Sequence, residues 1–242
     1  MLIGATEVKF EQGNNSNVYV VGSVGTEKHR LYTHPNVSKE EEKNVIVIDS
    51  QKEVYHATHQ TKSEQGYRVL QLELLSPHFY EIFRGMLASY QHQKFILYIH
   101  VNGLENTYQE RGEQIQKLFN VLQKQTLERD VHLYLDEYEM YPIPGLLHVL
   151  NTMKSKKVSI SIIVQSHSHL QHIYGKKVAD QIAFNCDQIL FFGTNSMHDA
   201  EYVSYISGYD QMEIFLLQEE IILLDKYTPP QKIRIKDVEI NI

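Results

Sequence analysis

A glycine-containing loop that ends in a lysine is the first segment with the residue types and spacing for chemistry. Residues 22–29 read Gly-Ser-Val-Gly-Thr-Glu-Lys-His and directly follow a short apolar run. The spacing matches the phosphate-binding pattern G-x-x-x-x-G-K-S/T, with glycine first and lysine seventh. In such a loop, backbone N–H groups surround phosphate oxygens and the lysine adds a positive charge. The predicted nucleotide-binding residues are therefore Gly22, Gly25, Thr26 and Lys28.

Two substitutions degrade this loop. Glu27 stands at the position of the last glycine, and His29 stands at the position of the hydroxyl residue. One charge pair about 4 Å apart, at an effective dielectric near 20, is worth roughly 4 kcal/mol, so repulsion of a phosphate by Glu27 is able to cancel the attraction of Lys28. Mg²⁺ prefers hard oxygen ligands, for which an imidazole is a poor substitute. Two interpretations stay open, a degraded nucleotide site and a simple turn after a strand.

Polar side chains at the ends of two further apolar runs are candidates for phosphoryl-transfer chemistry. Asp136 and Glu137 end the run 131–135, as expected of a buried parallel strand that delivers acids to the carboxyl edge of a sheet. In phosphoryl-transfer enzymes the first acid supports Mg²⁺ and the second is able to activate water. Gln165 ends the run 158–164, where an amide can sense a γ-phosphate or orient a water. A solvated strand end is the alternative interpretation of each pattern.

The histidines and the cysteine are weaker candidates. His167, His169 and His172 lie close together, but no cysteine or acid pair completes a zinc-binding set, so we predict no metal site. Cys186 is the only cysteine, which excludes an internal disulfide. It lies between apolar runs with no base beside it, and we therefore predict a buried structural thiol.

Charge and hydropathy restrict the possible partners. The chain has 242 residues and a formal net charge of -7, which gives no general attraction for nucleic acid. DNA contact would require a local basic patch, and the candidates are the lysines in 154–157 and at 176–177, with a solvated surface as the alternative. No apolar run approaches the ~18 residues of a membrane helix, and the amino terminus lacks a signal-peptide pattern. We therefore expect no membrane insertion and a cytoplasmic location.

Apolar strand-like runs alternate with segments of helical periodicity along the chain. The strand-like runs are Val18 to Val21, Val45 to Ile48, Val69 to Leu72, Phe95 to Val101, Val131 to Leu135, Ser159 to Val164 and Ile189 to Phe192. Helices are predicted from Ser76, around 115–122, and from Ser196 to Gly208. Three short runs at 213–217, 221–224 and 232–235 predict an antiparallel ending. This order predicts one α/β domain over residues 1–242. We expect it to contain a mostly parallel sheet flanked by helices, with a small antiparallel C-terminal extension at 209–242.

The order of these motifs resembles that of the TraG/TraD-like type IV coupling proteins, RecA-like ATPases that deliver DNA–protein substrates to conjugative secretion channels. The similar segments are 20–28, 34–36, 49–53, 135–138, 143–144, 152–156, 165–166, 174–175, 185–187, 192–195, 201–204 and 208. The family's D-P-K-G-E motif is Asp-Ser-Gln-Lys-Glu at 49–53. The resemblance implies a RecA-like P-loop fold and a role in conjugation or type IV secretion.

The chain also departs from the family. Relatives usually have membrane helices before the ATPase core and an all-helical insertion, whereas residues 30–93 form a shortened region here. Lys154 and Lys156 stand where the family favours arginines, and the resemblance implies that these basic residues face a neighbouring subunit's nucleotide site. A lysine cannot reproduce the bidentate contact of a guanidinium with phosphate.

These departures favour a degenerate, inactive nucleotide-binding domain of a coupling-protein-like subunit that acts by protein interaction. On this hypothesis neither ATP nor Mg²⁺ binds tightly, and the partners belong to a conjugation or secretion apparatus that associates the chain with the membrane. One alternative is an active ATPase that powers DNA or protein transfer. The other is a regulator that binds a ring of active coupling ATPases. We expect a monomer or weak dimer in solution.

Overall fold

The computed structural model describes residues 1–4, 6–7, 17–90, 92–101 and 107–235. The strands are β1 (Leu2–Ile3), β2 (Thr6–Glu7), β3 (Val18–Val21), β4 (Asn44–Ile48), β5 (Arg68–Glu73), β6 (Phe95–His100), β7 (Val131–Leu135), β8 (Val158–Val164), β9 (Gln188–Phe191), β10 (Glu220–Asp225) and β11 (Thr228–Arg234). The α-helices are α1 (His34–Lys39), α2 (Glu53–Glu64), α3 (Phe79–Ser89), α4 (Tyr108–Lys124), α5 (Leu146–Met153), α6 (His167–Tyr174), α7 (Lys176–Phe184), α8 (Met197–Ser207) and α9 (Gln211–Phe215).

Nine strands form one sheet in the order β11-β10-β9-β3-β8-β7-β4-β6-β5, and β1 pairs with β2 in a separate antiparallel ribbon. The chain divides into two compact units, Met1–Asn36 with Ile162–Ile242, and Val37–Ser161. The α/β class and the mostly parallel sheet predicted from the sequence are confirmed. The prediction that residues 1–242 form a single domain stays a prediction.

In the unit Val37–Ser161, β4 lies between β7 and β6, and β5 pairs with the other side of β6, all in parallel. Every residue of β4 and of β6 is buried. Continuous runs of valine, isoleucine and leucine suit strands that are covered on both faces, because no alternate position has to meet water. The same arrangement brings the carboxyl ends of these strands to one edge.

In the other unit, β3 pairs with β9 in parallel, and β9, β10 and β11 continue the sheet in antiparallel order. The predicted antiparallel ending is therefore present at β10 and β11, and residues 236–242 lie outside the described residues. The prediction of a strand at 213–217 is wrong, because residues 211–215 form helix α9. The Asp210 carboxylate accepts hydrogen bonds from the N–H groups of Met212 and Glu213, and this cap starts the helix.

Helix α8 forms with the caps that the sequence indicated, and the helix predicted around 115–122 is α4. Ser196 caps α8 by accepting from the Asp199 N–H, and Gly208 ends that helix at a φ of 77°. Thr107 and Glu110 form a reciprocal capping box at the start of α4. Among the described residues, no helix is both long enough and apolar enough to cross a membrane.

Candidate phosphate-binding loop and acidic strand ends

The loop at 22–29 follows β3 and folds back on itself. The Gly22 N–H donates to the Val164 carbonyl at 3.1 Å, which places Gly22 beside the end of β8. A Cβ at Gly22 would lie 2.4 Å from the Thr26 Oγ1 and 2.9 Å from the Phe192 Cβ, so only glycine fits. The Thr26 hydroxyl donates to the Ser23 carbonyl at 2.7 Å, so this hydroxyl is used inside the loop.

Lys28 is buried at the start of the helical segment that follows the loop, with 6% of its surface exposed. Its Cδ lies 3.5 Å from the point where a Gly22 Cβ would be, so the side chain folds over the first glycine of the loop. The Lys28 ammonium makes no hydrogen bond or ion pair within the described part of the chain. Because no acid among the described residues pairs with this ammonium, an anion over the loop would be a favourable partner.

Glu27, at the position of the pattern's last glycine, has a backbone conformation that favours glycine. Its φ is 62°, in the left-handed region, which costs about 1 kcal/mol for a residue with a Cβ. Its carboxylate forms an ion pair with the Arg30 guanidinium, and both side chains are 47% exposed. Glu27 therefore adopts a positive φ without being a glycine, and its charge is paired with Arg30 in a half-exposed position.

His29 opens a π-helical turn, His29–Thr33, that leads into α1. Its ring stacks on that of His34 with 6.4 Å between the centroids. The position that holds a Mg²⁺-binding hydroxyl in the intact pattern thus presents an imidazole that is packed against another imidazole. Such a group does not supply a hard oxygen ligand.

The other unit brings Asp49 and Asp136 together at the carboxyl ends of β4 and β7. The Asp136 N–H donates to the Ile48 carbonyl at 3.3 Å. Asp49 is fully buried; its Oδ2 accepts from the Tyr55 N–H at 2.8 Å, whereas its Oδ1 has no hydrogen-bond partner among the described residues. Burial, and to a smaller degree the charge of Asp136, raises the pKa of Asp49 above its usual value. This site therefore favours a protonated carboxyl or a cationic ligand.

Glu137, the predicted base, has a φ of 49° and accepts a hydrogen bond from the Ser50 hydroxyl at 2.5 Å. Ser50 is one of the residues at which the chain departs from the D-P-K-G-E pattern. One carboxylate oxygen of Glu137 is therefore already engaged by a side chain that the pattern does not contain. The pairing was not predicted, because the two residues are 87 positions apart.

Two buried tyrosines fix the segment that follows these acids. The Tyr141 hydroxyl donates to the Asp136 carbonyl, and the Tyr138 hydroxyl accepts from the Ile143 N–H at 3.0 Å. Their rings meet edge to face at 5.7 Å. Both residues are fully buried, so they act as packing.

Gln165 follows β8, and the carboxylate of Asp199, in the first turn of α8, holds the residues after Gln165. Asp199 is fully buried and accepts from the N–H groups of His167 at 3.2 Å and Ser168 at 2.7 Å. The Thr194 hydroxyl donates to the same carboxylate at 3.3 Å. Asp199 thereby positions the segment that carries Gln165. No sequence signal reveals this role, since the contact spans 32 residues.

The histidine and cysteine candidates have structural contacts. His167 lies between the Tyr19 hydroxyl at 3.0 Å and the Asp180 carboxylate at 2.9 Å, and burial lowers its pKa. The described residues contain no group of three or more histidine, cysteine or acidic side chains that could hold a metal ion. Cys186 is buried, and burial raises the pKa of its thiol.

Lys154 and Lys156 lie in an exposed helical turn, Lys154–Lys156, before β8. The next carbonyl, that of Lys157, accepts from the Val131 N–H at 2.9 Å, which places the turn beside the start of β7. Asp136 follows the opposite end of β7. The two lysines are therefore remote from Asp136 within their own unit.

Comparison with known proteins shows which family this part of the chain resembles. Residues 130–214 match the family model described as the TraM recognition site of TraD and TraG. The chain is TraG/TraD-like. The match contains the acidic strand end, Gln165, Asp199 and the helices up to α9. No curated protein sequence matches the chain.

Solved structures with the same fold include conjugation and packaging ATPases. The unbound bacterial conjugative coupling protein TrwBdeltaN70 is 12% identical, with a TM-score of 0.64 over 93% of this TraG/TraD-like chain and 85% of its own. VirB4 of Thermoanaerobacter pseudethanolicus is 11% identical, with a TM-score of 0.67 over 100% and 96%. The genome-packaging NTPase B204 of Sulfolobus turreted icosahedral virus 2, in complex with AMP, is 14% identical, with a TM-score of 0.55 over 96% and 98%. The predicted P-loop ATPase fold is thereby confirmed.

Proposed function

We propose that this TraG/TraD-like chain is a non-hydrolysing subunit of a conjugative transfer apparatus, which binds phosphate weakly and acts through protein contacts. One observation carries the proposal. The loop contains Lys28, whose ammonium has no partner among the described residues, yet it presents His29 where Mg²⁺ requires a hydroxyl. A loop of this kind retains attraction for phosphate and loses metal placement.

Nucleotide binding and turnover test this function together. We expect ATP to bind with a dissociation constant weaker than about 1 mM, an affinity below about 4 kcal/mol. Because His29 does not hold the metal, the affinity for ATP should be nearly the same with Mg²⁺ and with EDTA. Phosphate release should stay at background, and Glu137→Gln should not change it. Calorimetric titration and a phosphate-release assay on the intact chain measure these quantities.

Two variants identify the cause of the weak binding. Lys28→Ala should abolish the remaining affinity for ATP. The double change Glu27→Gly with His29→Thr should strengthen Mg-ATP binding at least about tenfold, which corresponds to 1.4 kcal/mol. If a folded double variant gains nothing, the defect lies elsewhere than in the loop.

An active ATPase is the second candidate function. Among the described residues, the Lys28 ammonium has no partner, and Asp49 and Asp136 follow β4 and β7; a nucleotide enzyme uses residues of these types. TrwB has been solved in complex with ADP and Mg²⁺. Tight, Mg²⁺-dependent ATP binding, with phosphate release that Glu137→Gln abolishes, would select this candidate and reject the first.

The protein contacts of the proposed function fall within residues 130–214. Helices α8 and α9 expose apolar side chains there, with Met197 41%, Tyr205 85% and Met212 52% exposed. We expect Tyr205→Ala to weaken the binding of a purified TraM-type protein by about tenfold or more, as for a large aromatic at an interface. Tyr227, also exposed but outside the matched residues, provides the control Tyr227→Ala. Equal effects of the two variants would argue against this surface.

A further inference from the structure

The ion pair between Glu27 and Arg30 has a consequence for the loop that neither substitution alone would produce. Glu27 is the carboxylate closest in sequence to Lys28, and its backbone is fixed at a φ of 62° in the loop. Its side chain nevertheless pairs with Arg30 from the first turn of the π-helical segment. Both partners are half-exposed, so the pair lies on the solvent side of the loop.

Lys28 is the group that would otherwise compete for this carboxylate. The Lys28 residue is 6% exposed, and its ammonium has no anionic partner within the described part of the chain. A carboxylate that neutralised Lys28 would occupy the place of a phosphate oxygen, because both are anionic acceptors for the same ammonium. The position of the Glu27 side chain therefore determines whether the loop accepts an anion.

We propose that Arg30 is a positioning residue that holds the Glu27 carboxylate away from Lys28 and so keeps the loop open to a polyphosphate. This inference rests on the proposed phosphate binding and adds the residue that maintains it. Arg30 acts through Glu27 rather than by touching the phosphate, so its effect disappears when Glu27 carries no charge. Glu27→Gln removes that charge while it keeps the size of the side chain and the need for a positive φ.

A four-protein comparison tests the inference with sodium tripolyphosphate in EDTA as the probe. The proteins are the wild type, Arg30→Ala, Glu27→Gln and the double variant, and binding is followed by NMR titration of backbone amides to about 20 mM ligand. We expect Arg30→Ala to weaken binding about fivefold or more in the wild-type background and less than about twofold in the Glu27→Gln background. Arg30→Lys, which keeps the positive charge, should restore most of the affinity.

The outcomes separate the inference from the proposed function. An equal loss in both backgrounds would mean that Arg30 attracts the phosphate directly, and no loss in either would mean that it has no role; each result overturns the inference and leaves weak phosphate binding intact. If Glu27→Gln binds and the wild type does not, Arg30 fails to hold Glu27 aside, and the inference is again wrong. If neither protein binds and Lys28→Ala behaves identically, phosphate binding itself is refuted, and the inference falls with it.

Discussion

Gly112 lies in the interior of α4, directly against the segment that follows the acids Asp136 and Glu137. A Cβ at Gly112 would lie 2.0 Å from the Pro142 carbonyl oxygen and 2.8 Å from the Pro142 carbonyl carbon. These are backbone atoms, so the substitution Gly112→Ala can be accommodated only if the segment moves by about 1 Å, a scale of overpacking that typically costs 1–3 kcal/mol. The intrinsic helix preference of alanine over glycine returns only about 1 kcal/mol.

The displaced segment also carries hydrogen bonds that support the acidic site. The Ile143 N–H donates to the Tyr138 hydroxyl, and the Tyr141 hydroxyl donates to the Asp136 carbonyl. Weakening one such buried bond adds about 1 kcal/mol. Since the helix preference and the weakened hydrogen bond offset each other, we expect Gly112→Ala to lower the free energy of unfolding by about 1–3 kcal/mol.

A matched control is available in α3. Gly85 is also interior to a helix but exposed, and a Cβ there would have no atom within 4 Å. Gly85→Ala should raise the free energy of unfolding by about 0.5–1 kcal/mol. Urea unfolding of the two variants measures the difference, and near-ultraviolet circular dichroism of the tyrosines reports the shifted segment. If Gly112→Ala were as stable as Gly85→Ala, the close packing of α4 on the Pro142 segment would be refuted.

Three further predictions concern pH and assembly. Burial lowers the pKa of Lys62 to about 8, below its value in the unfolded chain, so the unfolded chain binds more protons between pH 8 and pH 9.5. The free energy of unfolding should therefore rise by about 1.5 kcal/mol over this range, and Lys62→Met should remove the rise. Urea unfolding at both pH values measures it. Burial lowers the pKa of His132 to about 3, and its ring lies between the Ser159 and Ser161 hydroxyls, so the native state resists protonation. The free energy of unfolding should therefore fall by about 3 kcal/mol between pH 6.5 and pH 4, and His132→Gln should make that fall shallower in the same assay. The isolated chain should be a monomer or weak dimer whose size does not change with Mg-ATP, because a ligand with equal affinity for two assembly states cannot shift the equilibrium between them. Light scattering after size exclusion measures the size, and a nucleotide-dependent hexamer would contradict this prediction.

The sequence by itself determined the strands, the loop motif and the acids at the strand ends. Each of these signals is local, since an apolar run such as 158–164 must be buried and a cap such as Ser196 acts within one turn. The family resemblance followed from the same local motifs in their order along the chain. The prediction of a strand at 213–217 is wrong because Asp210, which is also a local signal, caps a helix there.

Only the tertiary structure decided how the candidate residues are used. The hydrogen bond from Ser50 to Glu137 and the hydrogen bonds of Asp199 with the segment after β8 join residues that are distant in sequence. The burial of Lys28 likewise follows from packing and not from a local pattern. The position of Lys154 and Lys156 at the start of β8, away from Asp136, depends on strand pairing rather than on composition. A sequence gives the residue types available to a site, whereas the packing of strands and loops determines which of them meet, because long-range contacts leave no periodic pattern in the chain.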